Sequence, residues 1–296
     1  MNNIIFPEGI SWRCEYVTGG DFLSSDVKID GQELYRYAKN NIIDVKADVS
    51  GTTQPSYMFG NCLAKYIKNL NMPNVTRCDY MFNQASKLIV APSFDTSRVT
   101  KVSYMFQSCT NLMYIPPLDL SRARSVSAVF RTCRNLVNVP TTNFSSVTSS
   151  LEYLFSECEN LVEIPDMNIS SATNFGSSYN SWLSNAYAVM SIGILECDSI
   201  TSISYVFGGS VNYRIKHLGG FRNLGKKSSV SGTNGSYFLD YAPNLTYESV
   251  VNVLNLLYDR ASAGLSVLTL KLHPNHLAML SEDDIAVATN KGWTLV

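Results

Sequence analysis

The amino-acid sequence predicts an α/β repeat solenoid of about eight short coils, each a short strand plus a short helical turn, with a cap at either end. Three observations carry that prediction. A phenylalanine or a stand-in recurs through Phe59, Phe82, Phe106, Phe130, Phe155, Leu183, Phe207 and Leu239, with a period of 23 to 25 residues wherever the spacing is not stretched. Offsets from that residue carry the same kind of side chain in successive units. Apolar runs at a fixed distance after it end in proline. A fixed period of this length marks units that bury their apolar faces only against their neighbours.

With the phenylalanine as position zero, the columns define a core. Four before zero stand Val102, Val126, Leu151 and Ile203; one before stand Met58, Met81, Met105 and Val206; six after stand Leu88, Leu112, Leu136 and Leu161. Nine after come Ile115, Val139 and Ile164, each followed by Pro116, Pro140 or Pro165. Apolar spacing of three and four around zero suits a short helical turn, and the L-x-x-I-P stretch suits a short strand ended by proline. Three after zero the column reads Cys62, Ala85, Cys109, Cys133, Cys158, Ala186 and Ala242, so four of the seven cysteines share a position with alanine. Cysteine there reads as a small buried hydrophobe with a reduced thiol. Coils ~5 Å apart would also bring column cysteines within bridging range.

Residues 1–50 lie outside the register and form an N-terminal cap, in which GQELYRYAKNNIIDV reads as a short helix running into a strand. A bare solenoid end would expose core and strand edges. Coils occupy 51–245. The gap from Phe155 to Leu183 is 28 residues, with NFGSSYNS as the excess, and from Phe207 to Leu239 it is 32, with GFRNLGKKSSVSGTNGS as the excess. Glycine and serine predict loops at both places. Residues 246–296 form C-terminal capping repeats with longer helices. LTYESVVNVLNLLYDR is helical in period from Thr246, LSVLTLKL reads as a strand, and SEDDIAVATNKG before WTLV reads as a capped helix and a final strand. Ser281 is the expected N-cap, with Glu282, Asp283 and Asp284 in the first turn where the helix dipole favours acids.

A hydrophobic share of 45%, a charged share of 16% and a net charge of -1 supply ample core material and no bulk attraction to nucleic acid or anionic membrane. No run of about 18 apolar residues occurs, so no membrane insertion is expected. The opening MNNIIFPEGISWRCEY has neither a basic start nor a continuous apolar stretch, so no signal peptide is expected.

One strand and one short helical segment per coil is the leucine-rich-repeat plan. The units resemble BspA-like leucine-rich repeats of bacterial surface proteins. Their pattern D-T-S-x-V-T-x-V-x-x-M-F-x-x-C-x-x-L is met almost residue for residue by Asp95 through Leu112, DTSRVTKVSYMFQSCTNL. The ending LSEDDIAVATNKGWTLV looks like endings of such proteins from gut Bacteroidetes and their phages. The resemblance spans about residues 55–296 and implies a non-enzymatic, extracellular role in recognition or adhesion. Without an export signal, a phage particle joins the bacterial surface as the expected location.

Catalysis finds no foothold in the sequence. It contains no G-x-S-x-G, H-E-x-x-H, phosphate-loop or dinucleotide pattern, and no C-x-x-C pair. No catalytic residue, cofactor or metal ligand is therefore assigned. His273 and His276 share the segment LKLHPNHLAML, where an H-P-N-H turn reads as ordinary surface polarity.

Candidate binding residues fall in two columns. Two before zero stand Tyr57, Tyr80, Tyr104, Ala128, Tyr153, Ser181, Tyr205 and Tyr237, so tyrosine fills six of eight places. On a helical turn of about 100° per residue this offset points about 160° from zero, hence outward. A ladder of outward rings suits contact with sugars or proteins; alternatively each ring packs along its neighbour and seals the wall. Eight before zero stand Arg98 and Arg122. With Arg77, Lys101 and Arg124 they gather into a cationic patch for an acidic glycan or phosphate, or stand as solvated charge. Asp95 and Asp119, with Ser97 and Ser121 two residues on, read as turn formers.

The expected function is binding without chemistry: a recognition or adhesion module outside the bacterial cell, with a surface glycan or protein receptor as partner. The alternative is a structural virion or assembly component whose solenoid docks other protein chains.

Overall fold

In the computed structural model, residues 36, 38–39, 41–45, 49–140, 142–177, 179–207, 214–233 and 238–296 are described. Most of the helix expected in GQELYRYAKNNIIDV, and Tyr237, lie outside them. Around each phenylalanine the backbone forms consecutive turns. At Phe82, the N–H groups of Met81, Asn83, Ala85 and Leu88 donate to the carbonyls of Cys78, Tyr80, Phe82 and Ala85, each three residues back. The alternate N–H groups leave the coil. Those of Cys78, Tyr80, Phe82 and Gln84 donate to the carbonyls of Lys101, Ser103, Met105 and Gln107 in the next coil.

This corrects the expected helical turn. A helix spends its N–H groups four residues back along its own chain, whereas bonding between coils needs every second N–H turned away. The backbone achieves this by placing the residues two before and two after zero in the left-handed region: Tyr80 at φ 59° and Gln84 at φ 60°. The same pair recurs around Phe59, Phe106, Phe130 and Phe155.

Every ladder among the described residues is parallel and joins residues about one repeat apart. Strand β1 (Ile42–Asp44) pairs with β2 (Tyr66–Lys68). Most L-x-x-I-P segments shrink to single bridges, such as Val90 with Tyr114 and Asn138 with Glu163, because proline ends the ladder. Longer pairing appears further on, through β3 (Thr142–Asn143), β4 (Glu163–Ile164), β5 (Met167–Asn168), β6 (Ser191–Glu196) and β7 (His217–Arg222). Strand β6 pairs with both β4 and β5, and with β7. Between β4 and β5, Pro165 and Asp166 interrupt the chain, and the Asp166 carboxylate accepts the Ile194 N–H at 2.7 Å in place of a ladder carbonyl. The segment GFR, expected to open a loop, instead ends β7. Gly219 lets β7 lie close on β6, since a β-carbon there would sit 2.6 Å from the Ile194 nitrogen.

The core is a row of stacked rings. Phe59, Phe82, Phe106, Phe130 and Phe155 follow one another at centroid spacings of 5.2, 5.1, 5.9 and 5.7 Å. At the stretched coils the ring that meets the row comes from the residue before zero: Trp182 rather than Leu183 on Phe155, and Phe238 rather than Leu239 on Phe207. The six described cysteines are buried free thiols. Cys109, Cys133 and Cys158 each donate Sγ–H at 3.1 Å to a carbonyl of the preceding coil, on Phe82, Phe106 and Phe130. Burial pushes these thiols well up, and Cys62 to about 11.

The C-terminal end carries the helices. Helix α1 (Tyr247–Leu256) starts at Thr246, whose side chain accepts the Ser249 N–H. Strand β8 (Leu268–Leu270) leads to α2 (Pro274–Met279), then α3 (Glu282–Asn290) and β9 (Trp293–Leu295), which pairs with β8. Ser281 and Asp284 form a capping box on α3. Arg260 is fully buried and binds this end together, donating to the carbonyls of Gly225, Lys227, Ser228 and Ser266. His276 is also fully buried, and among the described residues neither ring nitrogen has a hydrogen-bond partner. Burial and the neighbouring His273 hold its pKa down to about 4.

The turn geometry sets a first prediction. Gln84→Gly leaves stability unchanged or raises it by up to about 1 kcal/mol, while Gln84→Val lowers it by about 1–2 kcal/mol, as read from urea midpoints. A second concerns pH. His276 is neutral when folded but titrates near its ordinary pKa when unfolded, so stability is lost as pH falls from about 6.5 and the loss levels off below about 4. Its contribution to the unfolding equilibrium is up to roughly 300-fold over that window, and the window closes in His276→Leu thermal melts.

Candidate functional site

The tyrosine column forms a stack on the left-handed turns, so the helical angle does not describe its direction. Rings of Tyr57 and Tyr80 lie 4.8 Å apart and 12° from parallel, and those of Tyr80 and Tyr104 lie 4.7 Å apart and 3° from parallel. The Arg36 guanidinium covers the far face of this run at 4.5 Å from the Tyr57 centroid. Burial, then the Tyr104 and Tyr57 phenols and Asp79, push the Tyr80 hydroxyl up. At buried Ala128 the column breaks, and the Arg131 guanidinium lies over the Tyr153 ring at 4.3 Å, with Glu157 3.6 Å from it. Tyr153 and Tyr205 are half-buried. Within the run of Tyr57, Tyr80 and Tyr104 the facing rings are spent on one another, which leaves Tyr80 no open face for a ligand.

The cationic columns stand beside their own acids. Arg98 and Arg122 are exposed, and Arg98 donates to the Asn74 side-chain oxygen at 3.2 Å. Each follows an aspartate by three residues. Asp95 accepts the Ser97 N–H at 2.9 Å and Asp119 accepts the Ser121 N–H at 3.0 Å. Those serine bonds first, and Arg98 and Arg122 after them, hold both carboxyls below the usual range. Arg77 pairs with Asp79 at 3.1 Å.

The aspartate column leads to a site that sequence reasoning missed. Its next two members are Asn143 and Asn168, whose side-chain oxygens accept the N–H groups of Ser145 and Ser170 at 2.9 and 3.1 Å. The partner of Asn168 on β6 is Glu196, which meets Arg222 of β7 at 2.6 Å. These residues, with Asp166, Met167, Ser170, Ile194 and Asp198, line an open groove of about 700 Å³. Burial alone would raise the Asp198 carboxyl, but bonds from Lys226 at 2.5 Å and from Asn223 outweigh it and hold the carboxyl low. The amide hydrogens of Asn143 and Asn168 have no protein partner among the described residues. The sequence signal was present as Asp-x-Ser or Asn-x-Ser recurring at the repeat spacing, but the bend of β4 and β5 against one continuous β6 has no such signature.

Among the described residues no group of three or more histidine, cysteine, aspartate or glutamate side chains is placed to hold a metal ion. Among them no helix is long and apolar enough to cross a membrane.

Residues 32–144 match the profile of a family described as Mycoplasma protein of unknown function, DUF285. That family is related to the BspA-like repeat proteins, in agreement with the resemblance of Asp95 through Leu112. The match opens inside the segment that the register leaves out, and it takes in Tyr57, Tyr80, Tyr104, Arg98 and Arg122. No curated protein and no solved structure matches the chain.

The stack predicts that its middle ring is the costly one to lose. Tyr80→Ser removes two stacked contacts and lowers stability by about 1–3 kcal/mol, whereas Tyr104→Ser, which removes one, costs less, as compared by thermal melts.

Proposed function

We propose that this chain is a leucine-rich-repeat recognition module that acts outside a bacterial cell, on a cell surface or a phage particle, and binds a surface glycan or protein without chemistry. The observation that carries the reading is the groove of about 700 Å³ across β3, β5, β6 and β7. Carboxamides, carboxylates and a guanidinium are planar groups that engage hydroxyls and peptide groups two bonds at a time. Polar columns repeating at ~4.8 Å also suit a ligand with its own repeat, and the stack of Tyr57, Tyr80 and Tyr104 offers a second repeating surface. The BspA-like resemblance supports the placement outside the cell. The second reading, an assembly component that docks protein chains, draws support from exposed apolar residues along the coils, including Tyr66, Val90 and Tyr114.

The test is binding of the labelled chain to intact gut Bacteroidetes cells, mucin and matrix proteins, beside the double variant Asn143→Asp, Asn168→Asp. Aspartate keeps the oxygen that holds each serine N–H, as Asp95 and Asp119 do, and removes only the amide donors. Binding is expected to fall at least about tenfold with the fold intact. Retained binding would move the site off the groove, and a native chain that binds none of these surfaces would overturn the recognition reading.

A further inference from the structure

Two outward columns run side by side along the coils, flanked by inward columns such as Leu88 and Ala91. The first holds Lys65, Ile89, Met113, Val137, Val162 and Met190, linked by backbone bonds from Ile89 to Lys65, Met113 to Ile89, Val162 to Val137 and Met190 to Val162. The second holds Tyr66, Val90, Tyr114, Asn138 and Glu163, with bridges joining Val90 to Tyr114 and Asn138 to Glu163. Parallel ladders usually have both faces covered. Here Tyr114 is 53% exposed, Val137 41% and Val162 42%, so an apolar ridge several coils long stands in water. A continuous ridge of this kind marks a contact surface.

Two charges placed evenly about Met113 and Tyr114 say what fits it, and the columns run on past them to Ile42 and Met190. Lys65 lies two coils before Met113 and Tyr114, and Glu163 lies two coils after them. Both are exposed, and neither makes an ion pair within the chain among the described residues. Coils ~4.8 Å apart put each charge ~10 Å from the centre, on opposite sides.

We infer that the ridge binds a second copy of this chain, antiparallel, about a twofold axis through Met113 and Tyr114. In that arrangement Lys65 lies over the partner's Val162 and within reach of the partner's Glu163 in the adjacent column, and Glu163 likewise reaches the partner's Lys65, while Ile89 packs on the partner's Val137 and the two Met113 side chains meet at the axis. A parallel pairing would set Lys65 near the partner's Lys65 and Glu163 near the partner's Glu163, so like charges select against it. A closed twofold contact of this kind makes a dimer rather than a fibre. The inference does not depend on ligand binding in the groove: Met113 and Tyr114, at the axis, are not among the residues that line it.

A narrow ridge places the contact at the weak end of specific interfaces, with Kd on the order of micromolar. Sedimentation velocity from about 1 to 500 µM is expected to show a monomer–dimer equilibrium for the native chain. Lys65→Glu and Glu163→Lys each set like charges against one another at both charge contacts and weaken association at least about tenfold, with unchanged circular dichroism. An equimolar mixture of the two variants regains native affinity, because each reversed charge then meets its complement in the other variant. Tyr114→Lys, at the axis, abolishes association. A native chain that stays monomeric throughout this range, or a mixture no tighter than either variant alone, would overturn the proposal; the latter would mean another arrangement or another occupant of the ridge.

Discussion

The N–H groups that leave each coil are the constraint on which the rest of the structure depends. At Cys78, Tyr80, Phe82 and Gln84 the donors point along the stack and are satisfied only by carbonyls of the neighbouring coil. A buried donor without its acceptor costs about 1–3 kcal/mol, so a single unit is not a stable object and neighbouring coils must sit in register. The register in turn fixes everything that repeats: the phenylalanine row, the thiol column, the tyrosine stack and the aspartate–asparagine turns. It also has a local cost, since left-handed backbone outside glycine is worth about 1–2 kcal/mol per residue, incurred here at Tyr, Gln, Ser, Thr and Glu positions. Burial of one aromatic ring and its flanking aliphatics in each coil offsets that cost.

The groove arises where this regularity is disturbed. Regular coils give a wall in which each column repeats itself. At Pro165 and Asp166 the chain breaks between β4 and β5, yet the next coil runs straight through as β6. The mismatch leaves a hollow, and the side chains around it are those that the columns already supplied, with Arg222 and Asp198 added from wider coils. The ligand-facing chemistry and the defect in the repeat thus share one origin.

The columns were legible in the sequence because side-chain type repeats with the period. The core positions, the small cysteine–alanine column, and the starts of α1 and α3 at Thr246 and Ser281 all follow from residue chemistry alone. The turns were not legible. Spacing of three and four is common to a helix and to a run of turns that bond three residues back, and most residues at the left-handed positions are Tyr, Gln, Ser, Thr or Glu, with asparagine, which usually announces such backbone, two after zero only at Asn61 and Asn185. The shift from Leu183 to Trp182 and from Leu239 to Phe238 escaped notice because loop length, not pattern, decides which neighbour reaches the ring row. Of the binding columns, the stacking of Tyr57, Tyr80 and Tyr104 was implied by their spacing, while the Asp partners of Arg98 and Arg122 were visible three residues upstream but read only as turn formers. The groove depends on residues from four strands that no single repeat displays together.

The thiol column has a consequence for where such a chain can work. Cys109, Cys133 and Cys158 keep their protons because burial disfavours the thiolate and a carbonyl waits for each S–H. Oxidation, alkylation and disulfide exchange all proceed through thiolate with access to reagent, and these sulfurs offer neither. A small secreted fold commonly draws its rigidity from bridges that form only after export. Here the sulfur atoms serve as packing and as hydrogen-bond donors, so the folded coils hold the same shape in reducing and oxidising surroundings.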